Sequence, residues 1–180
     1  MSLPDGLEVV AEFVNTRDIE PGTDEIATPE ALKTWLVARG LLPKNTDVSV
    51  DDVARAADLR EAVRALALHN NGEPVEVDAS RTVLDEAARS AGFTLRFTTE
   101  RANLVPDATG VAGALGMIVA SIAGAMASGS WERLKTCAND ECQGVFFDRA
   151  RNHSRRWCSM EVCGNRIKAR SFRARQTQSE

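Results

Sequence analysis

Apolar residues recur along this chain at two spacings, and the change from one to the other marks its elements. Residues 7–14, Leu-Glu-Val-Val-Ala-Glu-Phe-Val, form an apolar run too short for periodicity to separate strand from helix, and Asn15-Thr16-Arg17-Asp18 ends it. Thr28-Pro29-Glu30 has the hydroxyl cap and first-turn proline of a helix start, which predicts a helix carrying Leu32, Trp35 and Leu36 and stopping at Gly40. Beyond a linker through Pro43, Asp51-Asp52 is expected to cap a long helix ending near Gly72. Its apolar face reads Ala56, Leu59, Val63 and Leu66. A further helix is expected from about Ser80 to Ala91, with Val83, Leu84, Ala87 and Ala88 inward and Gly92 as its stop.

Spacing then changes. Phe93-Thr94-Leu95-Arg96-Phe97-Thr98 alternates apolar and polar, as a half-buried strand does, and Leu104-Val105-Pro106 reads as a short return strand after a turn over 100–103. From Ala108 to Trp131 no residue is charged, a length able to cross a bilayer. That stretch is mostly Ala, Gly and Ser with few strongly apolar residues, so a helix at the centre of the body is expected rather than a membrane span.

Composition adds little to this outline. The 180 residues are 43% apolar and 5% aromatic with no tyrosine, so the core must be built largely from Ala, Val and Leu. Charge adds more. Residues 133–175 hold 11 Lys and Arg against 4 Asp and Glu, a net of +7, while the rest holds 11 against 22, a net of −11. An acidic body therefore carries a basic end, an asymmetry that points to a polyanion as partner. The first residues have neither a basic start nor an apolar run, so a reducing cytoplasm is the expected compartment.

The chemistry concentrates in the basic end. Cys137, Cys142, Cys158 and Cys163 form a Cys-x4-Cys-x15-Cys-x4-Cys pattern within 27 residues. Two close pairs of soft ligands suit one tetrahedral structural Zn(II), with Lys135, Arg156 and Arg166 near enough to offset the thiolate charge. Two disulfides or an iron–sulfur cluster would use the same residues, but a chain without a secretory signal and the paired spacing favour zinc. His153 reads as a polar contact and His69 as an ordinary helix-end residue. Four cysteines leave a metal no open position, which argues against catalysis there, and the chain holds no Gly-rich phosphate loop or nucleophile triad. The expectation is a protein that is not an enzyme.

Two basic runs flank the metal pattern. Arg149, Arg151, Arg155 and Arg156 lie between the cysteine pairs, and Arg166, Lys168, Arg170, Arg173 and Arg175 follow the last cysteine on a helix that Asn165 is expected to cap. Arg166, Arg170 and Arg173 share one helical face. Such runs are often solvated or docked on an acidic surface; beside a zinc site, double-stranded DNA is the favoured partner. In the body, Asn15 and Arg60 are polar groups in apolar segments. They are candidate ligand contacts, their other reading being a turn residue and a surface arginine.

Three stretches resemble the CGNR-type zinc finger: Trp131 through Cys137, Phe146-Phe147-Asp148-Arg149, and Trp157-Cys158-Ser159-Met160 through Cys163-Gly164-Asn165-Arg166. Gln143-Gly144 departs from the resemblance, since that family more often places a bulky aromatic there. In the family this finger closes bacterial proteins whose N-terminal part is the ABATE domain, regarded as stress-induced transcription regulators. Phe13-Val14-Asn15-Thr16, the Trp35-Leu36 helix and Leu59-Arg60-Glu61-Ala62 extend the resemblance into the body. It implies zinc on the four cysteines, DNA as partner and a body that senses a small molecule. The expected fold is α+β: a mainly helical body with a small antiparallel hairpin over 1–130, and a treble-clef-like zinc finger ending in a basic helix over 131–180. A homodimer would suit two DNA half-sites and the small-residue helix at 108–130. A zinc-stabilised module that grips an acidic protein instead of DNA is the competing reading.

Overall fold

The computed structural model describes residues 6–72, 74–100 and 102–170. The short apolar run is a helix, α1 (Leu7–Val14), which buries Leu7, Val10, Phe13 and Val14 at helical spacing. A hairpin of two-residue strands follows, β1 (Arg17–Asp18) and β2 (Thr23–Asp24), paired antiparallel. α2 (Pro29–Ala38) begins where expected, with the Thr28 hydroxyl accepting from the Ala31 N–H. α3 (Val50–His69) starts at a Ser49 cap, not at Asp51-Asp52. Ser49 and Asp52 satisfy each other's backbone N–H groups, so the aspartate serves as the third residue of a capping box.

α4 (Asp78–Ala91) keeps Val83, Leu84, Ala87 and Ala88 half-buried against the core. β3 (Phe93–Phe97) and β4 (Ala102–Pro106) pair antiparallel from Phe93↔Pro106 to Phe97↔Ala102. The alternation located this hairpin but misplaced its environment. Leu95 and Phe97 lie on one face and are 55% and 79% exposed, because only the Phe93 end reaches the core. α5 (Gly110–Ser128) is the one helix among the described residues long and apolar enough to cross a membrane, and here it buries Val111, Leu115, Ile118 and Ile122 at the centre of the body. Gly116 explains part of its composition. A Cβ there would stand 2.5 Å from the Ala91 Cβ and 3.0 Å from Pro106, so only glycine lets α4 and β4 come this close.

The chain leaves α5 through the αL residue Gly129 and a short 3-10 turn at Trp131–Arg133. β5 (Leu134–Thr136) and β6 (Val145–Phe147) then pair antiparallel. A last helical segment, α6, opens with a wide turn over Met160–Gly164 and continues as α-helix over 165–170. Its cap is the Ser159 hydroxyl, which accepts from Val162 N–H. Asn165, expected to cap the helix, lies inside it and donates to the Glu161 carbonyl.

A boundary at 130/131 does not divide the core. Trp131, Leu134 and Val145 join Leu7, Phe13, Leu36, Leu59 and the α5 residues in one apolar cluster. A separate small cluster of Cys137, Phe146 and Cys163, flanked by Cys142, Trp157 and Cys158, surrounds the cysteine sulfurs. The finger is rooted in the body at one end and built around its sulfurs at the other.

Candidate metal centre and nucleic-acid surface

Each cysteine pair lies where backbone turns aim sulfurs inward. The first pair spans the β5–β6 connection, closed by Cys137 N–H donating to Gly144 O at 2.9 Å and Cys142 N–H to Asn139 O at 2.8 Å. Gln143 takes a left-handed conformation at φ 47°. A Cβ on Gly144 would press on Cys142 Sγ at 3.3 Å, so this sequence trades a bulky contact for a close backbone approach to sulfur. The second pair is delivered by the segment before α6 and by its first turn. The segments carrying the two cysteine pairs meet where Ala138 N–H donates to Arg156 O at 2.8 Å.

All four Sγ atoms lie within 4.8 Å of one another, and Cys158 Sγ stands 3.6 Å from both Cys142 Sγ and Cys163 Sγ. Zinc–sulfur bonds of about 2.3 Å in a regular tetrahedron place sulfurs about 3.8 Å apart, which the two 3.6 Å separations match. They are far beyond the roughly 2.05 Å of a disulfide, and the cysteines are free thiols. Further donors point at the sulfurs: Gly144 N–H reaches Cys142 Sγ at 3.4 Å and Asn139 Nδ2 reaches Cys163 Sγ at 3.9 Å. The donor set fits structural zinc, and no other cluster of metal-ligating side chains forms among the described residues.

Without a cation the cluster holds its protons unevenly. Burial pushes the Cys142 thiol up to about 11 and the Cys158 thiol higher still. At Cys163 burial opposes ionisation too, but hydrogen bonds led by those from Cys158 and Cys142, with Asn139 adding to them, outweigh it and lower the value. Zinc must displace protons from buried thiols, so its binding weakens as pH falls. Lys135, expected beside the metal, is committed elsewhere: its ammonium donates to Asp148 Oδ2 at 3.1 Å and to the His153 carbonyl.

Asp148 organises the basic loop, a role that sequence reasoning missed. It is fully buried and accepts from Lys135 Nζ, from Ala150 N–H at 2.8 Å and from Arg155 N–H at 3.0 Å. Burial opposes its charge; the Ala150 N–H, Lys135 and the Arg155 N–H outweigh burial and hold its carboxyl below the usual range. One carboxylate thus pins both ends of the loop at 149–156. The available signal was an acidic residue directly after the apolar pair Phe146-Phe147, where an Asx-type bond to the residue two ahead is common.

The predicted basic residues divide by what they touch. Arg149, Arg151, Arg155, Arg156, Arg166, Lys168 and Arg170 are all exposed. Arg155 is anchored: it donates to the Trp157 and Cys158 carbonyls and lies 4.9 Å over the Phe146 ring. Arg156 rests 5.9 Å from the Trp157 ring. Arg166 pairs with Glu20 of the β1–β2 hairpin and Arg170 with Glu141 of the first knuckle. Arg173 and Arg175 lie outside the described residues.

Asn15 and Arg60 both turn out to be bonded within the protein. The Asn15 amide exchanges two hydrogen bonds with Val145, donating to its carbonyl at 2.9 Å and accepting its N–H at 2.7 Å, as a neighbouring strand would. Arg60 is not a surface arginine. It is 2% exposed and holds Asp24 through both terminal nitrogens, at 2.7 and 2.8 Å, with Thr16 and Glu61 beside it. Arg64, one turn on, donates to Gln143 O and Val14 O. Asn70 and Asn71 at the end of α3 donate to the carbonyls of Trp131, Leu134 and Thr136. These polar side chains fasten the finger to the body.

The fold and site together define a helical body fused to a structural zinc finger with an exposed basic loop. Residues 7–129 match the ABATE family, described as "Putative stress-induced transcription regulator", and residues 133–176 match the CGNR zinc finger. The chain belongs to the ABATE family, and its finger is of the CGNR type. No curated protein matches it.

Proposed function

We propose that this chain is a DNA-binding transcription regulator in which the zinc finger contacts duplex DNA and the acidic body senses a small molecule or mediates assembly. The observation that carries the reading is the loop at 149–156. Zinc fixes its C-terminal end and the buried Asp148 fixes both its ends, so the exposed Arg151 and Arg156 side chains are presented from a rigid base. Rigid presentation lowers the entropy lost when a guanidinium meets a phosphate. Lys168, on α6, adds a third exposed cation. With four cysteines in its shell the metal has no open position, and its part in this reading is structural rather than catalytic.

Fluorescence anisotropy of a labelled duplex across a salt series tests the proposal. With about three phosphate contacts, from Arg151, Arg156 and Lys168, log affinity should fall with log salt at a slope of about −2.7. Replacing Arg151, Arg156 and Lys168 together by Ala should remove most of that slope. Salt-independent binding, or binding unchanged in the triple variant, would overturn it.

One observation favours a second reading. Arg166 and Arg170 already meet carboxylates, those of Glu20 and Glu141, so this surface also accommodates the chemistry of an acidic protein partner. That reading expects no duplex retention at any salt concentration.

A further inference from the structure

A cavity of about 160 Å³ lies in the body where α3, α4 and α5 meet. Its floor is apolar: Leu59 and Leu115 are 1% and 4% exposed, with Val83, Ala87 and Ala112 beside them. The void follows from side-chain size. Ala91 of α4 is held against Gly116 of α5, where a Cβ would stand 2.5 Å away, so the two helices come together at that end because one side chain is missing. One turn back along α4, Ala87 lines the cavity together with Ala112 of α5, and two methyl groups leave open the space that larger apolar side chains would fill.

The rim of this cavity is charged. Along α4 it is lined by Val83, Glu86, Ala87 and Ser90, the i, i+3, i+4, i+7 stripe that a core-facing helix ordinarily fills with apolar residues. Here Glu86 and Ser90 make that stripe half polar. From α3 come Arg55 and Asp58. Arg55 is already engaged, donating to Asp52 at 2.6 Å. Asp58 and Glu86 are exposed, and among the described residues neither carboxylate has a hydrogen-bond or ion-pair partner. Two uncommitted negative charges therefore border an apolar floor.

We propose that this cavity binds a small primary amine whose apolar part is no larger than one six-membered ring, with the ring among Leu59, Val83 and Leu115 and the ammonium at Asp58 and Glu86. An apolar cavity of about 150 Å³ holds a benzene ring, which sets the size of the apolar part. The uncommitted carboxylates set the sign of the polar part, because a hydrogen bond from an ammonium to a carboxylate is stronger than a neutral one. Among the described residues the one cation on the rim, Arg55, is held by Asp52, so an acid of the same size finds no free partner there. The inference rests on the sensing part of the function proposed above and gives that part a site and a ligand class. α3 joins the site to the finger: Leu59 precedes Arg60, and Arg64, one turn further, donates to the Gln143 carbonyl of the first knuckle at 2.7 Å.

Titration of the zinc-loaded full chain with benzylamine, followed by backbone amide shifts, tests this without DNA present. Saturable shifts are expected at Leu59, Ala87 and Ala112. Benzyl alcohol, of similar size but uncharged, and methylamine, which lacks the ring, should each bind at least about tenfold more weakly. Asp58→Asn with Glu86→Gln should bring benzylamine down to the affinity of benzyl alcohol and leave the alcohol unchanged. Ala112→Leu fills the cavity and should abolish binding of both; Ala87→Leu does so from α4 if Ala112→Leu does not fold. Absence of saturable benzylamine binding, equal affinity for amine and alcohol, shifts confined to other residues, or indifference to the paired carboxylate variant would overturn the assignment. Benzylamine binding that leaves duplex affinity unchanged would support the site and reject its part in sensing, whereas duplex binding without benzylamine binding would reject the site alone.

Discussion

The body and the finger reach order by different means. The body buries a continuous apolar cluster from Leu7 through Leu36, Leu59 and Ile122, as a chain of this length can. Among the described residues, the apolar side chains buried at the tip of the finger are Cys137, Phe146 and Cys163, too little apolar surface to offset the entropy of ordering it. Four sulfurs and a buried lysine–aspartate pair take the place of that core. Between the two regions lies a seam of directional bonds from Asn15, Arg64, Asn70 and Asn71. A core tolerates substitution in proportion to volume, whereas a metal-centred region is held or lost as a unit.

The largest effect should come from the metal. Chelation, or Cys142→Ser, should disorder the finger tip and lower duplex affinity by at least a hundredfold, while the circular dichroism of the helices changes little. Loss of most helical signal on chelation would show that the body has no independent core. By contrast Leu36→Ala, at a fully buried position, should cost about 3 kcal/mol in denaturant unfolding and leave the zinc content at one equivalent. Arg60→Ala removes both guanidinium bonds to Asp24 and leaves that carboxylate with the Ile26 N–H. About 2 kcal/mol is expected, below the fully buried case because Asp24 is 28% exposed.

The same pair gives a pH dependence. The hydrogen bond from Arg60 outweighs burial and holds the Asp24 carboxyl below its ordinary 3.8. A folded value below the unfolded one contributes stability that is fully present above about pH 4 and is lost as pH falls through the folded value. Asp24→Asn should flatten the acid limb of the stability curve below pH 4. An unchanged limb would assign the loss elsewhere. The smallest effect belongs to the seam: Asn15→Ala deletes both bonds to Val145 and should cost about 1 kcal/mol, with the loss seen at least partly as faster amide exchange in β6.

Much of this division was legible in the chain itself. Helical spacing of Leu32, Trp35 and Leu36, the Thr28-Pro29 start and the uncharged stretch after Ala108 each located an element, because burial and capping leave local marks. The spacing of the cysteines located the metal site for the same reason. What stayed hidden was non-local. The exposure of Leu95 and Phe97 depends on how far the hairpin reaches past the core, which alternation does not record. Arg60 and Arg64 look like solvent cations unless their register with Ala56 and Val63 on the buried face is noticed. Nothing within residues 133–175 foretells that β5 and β6 would be received by α1 and the end of α3. The partners lie 64 to 130 positions away in the chain. Asp148 was hidden similarly, since its value comes from Lys135 thirteen residues earlier as well as from its neighbours.

In the proposed function, zinc and the body together hold a basic surface for DNA. Its most direct test is titration of one labelled duplex, at fixed low salt, with zinc-loaded chain, with chelated chain, and with chelated chain given back one equivalent of Zn(II). Tight binding, a loss of at least a hundredfold and full recovery are the expected outcomes in turn. Equal binding with and without zinc would contradict it, as would zinc-loaded protein that fails to retain the duplex.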